Sequence, residues 1–244
     1  MSEDNETAAY AVIIAAAGQS RRFVESGANE NAVANAAVKK PYTRLHGKPI
    51  WLYSTEMFAR RNEIKQIILV VAPEDVSWFR DYFAAEIDKL LLMVISGGTE
   101  RVDSVQKAFA LIRNNIDYIA VHDAARPCIS DEQITAVFKQ AKQHGAAILA
   151  SPITGTIKLV DNNTINATVP RKGLWEAQTP QVFRKQILFD AYSKRDANVL
   201  TTDDAELVEK AGFNVSVVLS DRLNIKITNQ SDLKLAEAIM SIKK

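Results

Sequence analysis

Short runs rich in β-branched and aliphatic residues recur along this chain, at 11–14, 66–71, 91–95, 118–121, 146–150 and 215–219, with longer segments of helical period between them. Runs that are apolar at consecutive positions suit strands covered on both faces, and strands separated by helix-length segments pair in parallel. The pattern predicts an α/β, Rossmann-like three-layer sandwich with a mostly parallel sheet. Helices are predicted at 51–60, 101–113, 131–144, 185–193, 203–211 and 231–242, several with caps or acids in the first turn, as at Ser130-Asp131-Glu132, Pro73-Glu74-Asp75 and Thr202 before two aspartates. With 244 residues, 47% of them apolar, the chain can bury a full core, and 10–244 is expected to form a single domain.

Two segments interrupt the alternation. Residues 24–39 repeat Ala and Asn with little to bury, and read as an insertion that is either a lid or a passive surface loop. Residues 151–170 are polar, β-leaning and turn-rich (Thr154-Gly155, Asp161-Asn162-Asn163), which predicts a hairpin arm over about 151–171 of the kind that makes homodimer contacts.

Composition narrows the function. Lys and Arg number 30 against 29 Asp and Glu, so no global field favours nucleic acid or an anionic membrane. Residues 1–9 are polar and acidic, a disordered tail rather than a signal peptide, and no apolar run reaches membrane-spanning length. Cys128 has no second cysteine to pair with, and His46, His122 and His144 lack zinc-site spacing. These features fit a cytoplasmic protein.

Open parallel sheets bind ligands beyond the carboxyl ends of their strands. The first strand runs into Ala15-Ala16-Ala17-Gly18-Gln19-Ser20-Arg21-Arg22, small residues that let a polyphosphate approach backbone N–H groups, followed by fixed positive charge. Later strand ends carry Ser96-Gly97-Gly98-Thr99-Glu100-Arg101 and His122-Asp123-Ala124-Ala125-Arg126-Pro127, and further loops carry Arg171, Thr179-Pro180-Gln181, Thr201-Thr202-Asp203 and Asn224-Ile225-Lys226. Neither a Walker A loop nor the G-x-G-x-x-G fingerprint is present: Gly47-Lys48 is followed by Pro49 and preceded at the required place by Tyr42.

The combination Ala16-Ala17-Gly18…Arg22, Gly97-Gly98…Arg101…Asp103-Ser104-Val105, Val121-His122-Asp123-Ala124-Ala125-Arg126-Pro127-Cys128, Gly173-Leu174-Trp175…Thr179-Pro180-Gln181 and Asn224-Ile225-Lys226-Ile227-Thr228 resembles the methylerythritol phosphate cytidylyltransferase family. These segments span nearly the whole chain in the family's order. The resemblance implies transfer of a cytidylyl group from CTP to 2-C-methyl-D-erythritol 4-phosphate, with release of pyrophosphate, in isoprenoid precursor biosynthesis. It implies that Ala16, Ala17 and Gly18 line the nucleotide, that Gly98, Thr99 and Ser104 bracket the cytosine, and that Asp123 sits beside the ribose and Mg²⁺. Arg22 and Lys40, with Lys39 the alternative, stabilise charge around the triphosphate. Arg126, Thr156, Arg171, Thr179, Thr202 and Lys226 hold the sugar phosphate, Arg171 coming from the neighbouring subunit's arm; Arg171 and Lys226 thereby share in the catalytic set. Ser20 stands where the family has glycine and Thr99 where it often has aspartate. Alternatives are the sister family that uses ribitol 5-phosphate and a nucleotide-binding protein without catalysis.

The chemistry agrees with the inventory of side chains. A phosphate monoester, with a second pKa of about 6, is its own nucleophile at neutral pH. No general base is needed; cations and Mg²⁺ must instead offset repulsion between the two anions. His122 is accordingly expected to be a satisfied, partly buried histidine and Cys128 a packing residue.

Overall fold

A computed structural model of the chain describes residues 8–18, 40–196, 199 and 201–242, with Lys40 described by its backbone alone. Seven strands form the central sheet: β1 (Tyr10–Ala15), β4 (Ile64–Val71), β5 (Met93–Ser96), β6 (Tyr118–Asp123), β7 (Ala146–Pro152), β10 (Trp175–Arg184) and β11 (Ser216–Leu219). Two small antiparallel pairs stand apart, β2 (Arg44–Leu45) with β3 (Lys48–Pro49) and β8 (Ile157–Asp161) with β9 (Thr164–Val169). The sheet order is β11-β7-β10-β6-β1-β4-β5, and every pairing is parallel except those that β10 makes with β6 and β7.

Successive residues of β1 serve opposite layers, which is why the strand is apolar throughout. Tyr10, Val12 and Ile14 pack with Trp51, Phe58, Phe79 and Phe138, whereas Ala11 and Ile13 pack with Val105, Ala108, Leu188 and Val208. The first layer carries α1 (Ile50–Ala59), α2 (Val76–Tyr82), α3 (Ala84–Lys89) and α5 (Asp131–His144); the second carries α4 (Arg101–Phe109), α6 (Lys185–Ser193) and α7 (Asp204–Lys210). A smaller cluster joins α8 (Gln230–Ile242) to β2 through Leu45, Ile50, Cys128, Ile227 and Leu233.

The predicted strands and helices are present, with four corrections. Strand β10 and the short helix α3 were not expected, whereas the helix-start cue at Pro73-Glu74-Asp75 is a 3-10 turn that leads directly into α2. The helix predicted to reach 113 ends at Phe109, because the Gln66 side chain donates to the Leu111 carbonyl at 2.9 Å and accepts from the Arg113 N–H at 3.0 Å, claiming backbone groups that a further turn would use. The tail stops short of residue 9: the Ala9 N–H donates to Asp117 Oδ2 at 2.8 Å and Ala8 and Ala9 pack on the core. Residues 1–7 and the insertion 24–39 lie outside the described residues.

The expected hairpin is formed by β8 and β9, turned at Asn162 and Asn163, whose φ values of 46° and 61° are the left-handed pair that a two-residue hairpin turn requires. Leu159, Val160 and Ile165 are all more than half exposed on it.

Candidate active site

The carboxyl ends of four neighbouring strands, β6, β1, β4 and β5, are tied edge to edge. The Ala16 N–H donates to the Val70 carbonyl at 2.8 Å, Gly97 N–H to Val71 at 2.8 Å, and Ala124 N–H to Ala15 at 3.1 Å. This lacing lines a cavity of about 500 Å³ with Ala16, Ala17, Gly18, Gly98, Thr99, Arg101, Ser104, Asp123 and Lys226. A Cβ on Gly98 would stand 2.5 Å from Asp103 Cβ, so only glycine lets the loop close on α4. Ser104, buried, accepts from the Gly98 N–H at 2.9 Å and donates to the Glu100 carbonyl at 3.1 Å, which holds that loop on the first turn of α4.

A second cavity of about 210 Å³ adjoins the first and shares Arg101, Asp123 and Lys226 with it; Arg126, Ala177, Gln178, Thr179, Gln181, Thr202 and Asp203 complete it. Asp123, on the boundary, is 6% exposed. One of its oxygens accepts from Arg101 Nε at 3.1 Å and the other from Lys226 Nζ at 2.5 Å. Burial works against its charge, but Arg101 and Lys226 overcome it and hold the carboxyl well below the usual carboxylate range.

Arg101 in turn donates through Nη1 to Asp204 Oδ2 at 2.7 Å, and Asp204 accepts from the Tyr192 hydroxyl at 2.7 Å. Burial opposes the Arg101 charge, yet Asp204 and Asp123 raise its pKa above the ordinary arginine value. Lys226 sits in a loop pinned on both sides: Asn224 donates to Gln178 Oε1 and the Thr179 carbonyl, each at 3.0 Å, and Ile227 N–H donates to the Ala125 carbonyl at 2.8 Å. Arg126 is a different kind of cation. It is 5% exposed, and its described bonds go to the carbonyls of Asn224 at 2.7 Å and Ala177 at 3.4 Å, with no carboxylate bonded to it among the described residues. Burial lowers its pKa against the pull of Asp123 and Glu176. A guanidinium held in this way beside a cavity has the charge and the fork geometry that a phosphate requires.

His122 is fully buried, with Nε2 3.2 Å from the Arg126 carbonyl and Nδ1 3.2 Å from Thr179 Oγ1. Burial, partly offset by Asp123, pushes its pKa down to about 4 from the ordinary 6.5. In the unfolded chain the ring takes a proton as pH falls through 6.5, whereas in the folded protein it stays neutral down to about 4. The unfolded state binds more protons between those limits, so stability falls with pH across that window, by about 3 kcal/mol at its foot. Urea midpoints followed from neutral pH to about pH 4 check this; a His122→Gln variant should lose most of the slope, and an unchanged slope would remove His122 as its source.

The match to known proteins extends along the whole chain. A family model described as 2-C-methyl-D-erythritol 4-phosphate cytidylyltransferase (IspD) matches residues 10–242. The chain belongs to that family. Among its relatives, the 2-C-methyl-D-erythritol 4-phosphate cytidylyltransferase of Bacillus licheniformis is 38% identical over 238 residues, covering 96% of this chain and 97% of the relative. That of Rhodopirellula baltica is 35% identical over 248 residues, covering 97% of each. The crystal structure of the Francisella tularensis family member superposes with a TM-score of 0.78 at 32% identity, covering 95% of this chain and all of that one. Family membership makes the chain a nucleotidyltransferase and confirms the Rossmann-like fold.

Most positions implied by the resemblance converge on the two cavities. Ala16, Ala17, Gly18, Gly98, Thr99, Ser104, Asp123 and Lys226 line the larger, and Arg126, Thr179, Thr202 and Lys226 the smaller. Thr156 and Arg171 are not among their linings; both are exposed on the arm, where Arg171 Nη1 donates to the Thr154 carbonyl. Arg22 and Lys39 lie outside the described residues, as does the side chain of Lys40. Thr179 lies inside β10, not in a loop after a strand, at a register shift between Gln178 and Gln181. Arg101, shared by both cavities, was quoted in the motif but given no role; its position at the first turn after Gly97-Gly98 was the available signal.

Proposed function

We propose that this chain joins CTP and 2-C-methyl-D-erythritol 4-phosphate to give 4-diphosphocytidyl-2-C-methyl-D-erythritol and pyrophosphate. Beyond family membership, the observation that carries this is the pair of adjoining cavities with Asp123, Arg101 and Lys226 on their boundary. The larger takes the nucleotide against Gly18, Gly98 and Ser104. The smaller takes the acceptor, whose phosphate meets Arg126 and Lys226. An acceptor phosphate oxygen bonds to the α-phosphorus, the bond from that phosphorus to the bridging oxygen of the β-phosphate breaks, and pyrophosphate leaves with the electron pair. Both nitrogens of His122 are engaged and the ring is far from titrating at neutral pH, which agrees with a reaction that needs no general base.

Mg²⁺ takes one or two carboxylates and completes its shell with substrate phosphates and water. Asp123 fits that demand as a single carboxylate held ionised, since an ionised carboxylate keeps lone pairs beyond the two used by Arg101 and Lys226. Among the described residues there is no cluster of three or more His, Cys, Asp or Glu that could hold the ion, so Asp123 would hold it together with substrate phosphates and water. When bound, the ion neutralises triphosphate charge. Arg22 and Lys40, on either side of the insertion in sequence, are assigned the same task.

We read 10–244 as one nucleotidyltransferase domain and the arm, about 151–171, as a dimerisation element that delivers Arg171 to the partner's acceptor cavity. The exposed Leu159, Val160 and Ile165 support it, because a two-stranded hairpin apolar on its surface is marginal unless covered. Sedimentation at micromolar concentration should give a dimer; a monomer would remove the shared site. No helix among the described residues is long and apolar enough to cross a membrane, consistent with an enzyme acting in the cytoplasm on soluble substrates.

The reaction is tested by timing pyrophosphate release from CTP with 2-C-methyl-D-erythritol 4-phosphate and, in parallel, with ribitol 5-phosphate. Faster turnover with ribitol phosphate would reassign the acceptor. Binding of CTP with no release from either would leave a nucleotide-binding protein without catalysis.

A further inference from the structure

For joining two helices a buried ion pair is no better than well-packed apolar side chains, because desolvation offsets its attraction. The pair at the start of α4 does more than join. Arg101 is the first residue of that helix, directly after the loop of the larger cavity, and it divides its guanidinium between carboxylates on two other elements. Nε donates to Asp123 Oδ1 on β6 at 3.1 Å, and Nη1 to Asp204 Oδ2 on α7 at 2.7 Å. Two bonds from one planar fork fix its orientation. Asp204 is in turn held three ways, with a side chain only 1% exposed: besides Arg101, the Tyr192 hydroxyl of α6 donates to Oδ1 at 2.7 Å, and the Asp204 N–H donates to Gln181 Oε1 at 3.1 Å. The Ala205 N–H shares that amide oxygen at 3.0 Å, and Gln181 Nε2 donates to Asp203 Oδ2 at 2.7 Å. The first turn of α7 is thereby fastened to β10.

A single row of groups therefore runs from the second helical layer to the boundary of the cavities: Tyr192, Asp204, Arg101, Asp123 and Lys226. Its carboxylates and cations alternate. The terminal torsion of an aspartate is broad, so a carboxylate gripped at one oxygen can still turn, whereas one gripped at both by anchored groups cannot. Of the two groups on Asp123, Lys226 has a side chain 39% exposed, while Arg101 is fixed at its second nitrogen. The rigid half of the grip comes from Asp204. We infer that Asp204 is a positioning residue: acting through Arg101 and steadied by Tyr192, it sets the orientation in which Asp123 faces the two cavities. The consequence for turnover rests on the proposed reaction at that boundary.

Nuclear magnetic resonance of ¹⁵N-arginine protein reads the row without turnover. A guanidinium bonded through Nε and Nη1 to two carboxylates turns slowly about its Nε–Cζ bond, so the Arg101 Nη signals should be resolved in the free protein. Asp204→Leu should average them; signals that stay resolved would show that Arg101 is fixed without Asp204 and overturn the inference. In turnover, measured well below each variant's melting temperature, Asp204→Leu should lower kcat on the order of 10²-fold, the cost of a misplacement of about 1 Å, with both KM values unchanged. Asp204→Asn, which keeps the shape and loses the charge, should fall between that variant and wild type. Because Asp204 acts through Arg101, adding Asp204→Leu to Arg101→Met should cost nothing further. Arg101→Lys, which cannot span both carboxylates, takes its place if Arg101→Met does not fold. Additive losses, or a loss seen only as a raised KM, would make Asp204 a structural residue of α7 and overturn the inference. Wild-type protein that turned over neither sugar phosphate would defeat the proposed reaction and with it the role in turnover, while the arginine spectrum would still report whether Asp204 fixes Arg101.

Discussion

Asp123→Asn is expected to reduce kcat by on the order of 10³-fold or more, in the range known for loss of a group that stabilises transferring phosphate. The carboxylate does two jobs that an amide cannot. It holds Arg101 and Lys226 at the boundary of the cavities through separate oxygens, and in the proposed reaction it would share Mg²⁺ with the triphosphate. Stability should suffer far less than activity. Breaking a buried pair ordinarily costs about 3–5 kcal/mol because a charge is stranded. Here neither cation is stranded: Arg101 keeps Asp204, and Lys226, with a side chain 39% exposed, can turn to water. A cost of about 1–2 kcal/mol, the scale of one or two lost hydrogen bonds, is expected. Steady-state kcat and urea unfolding measured on the same preparation decide it; a kcat within tenfold of wild type would take Asp123 out of the chemistry.

The second large effect is selective. Arg126→Met should lower kcat/KM for the sugar phosphate by about 10²- to 10³-fold, while the affinity for CTP holds. Two hydrogen bonds from a guanidinium to a phosphate, at about 1.5–3 kcal/mol each, account for that size. The fold should barely register the change. Methionine fills much the same space, and the two carbonyls that lose Arg126 as donor are offset by no longer burying a charge whose described bonds reach only carbonyls. Kinetics with each substrate varied in turn, beside a thermal melt, test both halves. An equal rise in the KM of CTP would place Arg126 in the nucleotide site.

How far the sequence foretold this arrangement depends on where each residue finds its partners. Buried parallel strands such as β1, and β6 as far as Val121, are apolar at every position and are legible without context. Strand β10 is not. Gln178, Thr179, Pro180 and Gln181 interrupt it with polar side chains and a proline, signals that ordinarily argue against a central strand, and their buried hydrogen bonds are what permit it there. Helices α2 and α3, of 7 and 6 residues without side-chain caps, are too short to declare themselves. Arg101 was visible as a letter in a motif, yet its meaning lies in Asp204, 103 residues later, and spacing along the chain cannot disclose such a pair. The residues of the larger cavity, contributed by short loops at strand ends, were the ones that motif and topology reached together.

The antiparallel course of β10 has a consequence for how such a protein can change. The nucleotide is met by loops, which tolerate insertion and replacement. One wall of the proposed acceptor cavity, with Gln178, Thr179 and Gln181, is instead the interior of a strand whose residues are paired with β6 and β7 on either side, Gln181 opposite Val121 and Ile148. Moving that strand by one position would turn every side chain on it to the opposite layer. That wall of the cavity is therefore recorded in the alignment of the sheet itself, where change must come by exchanging individual side chains, whereas the walls that carry Arg126 and Lys226 stand on loops.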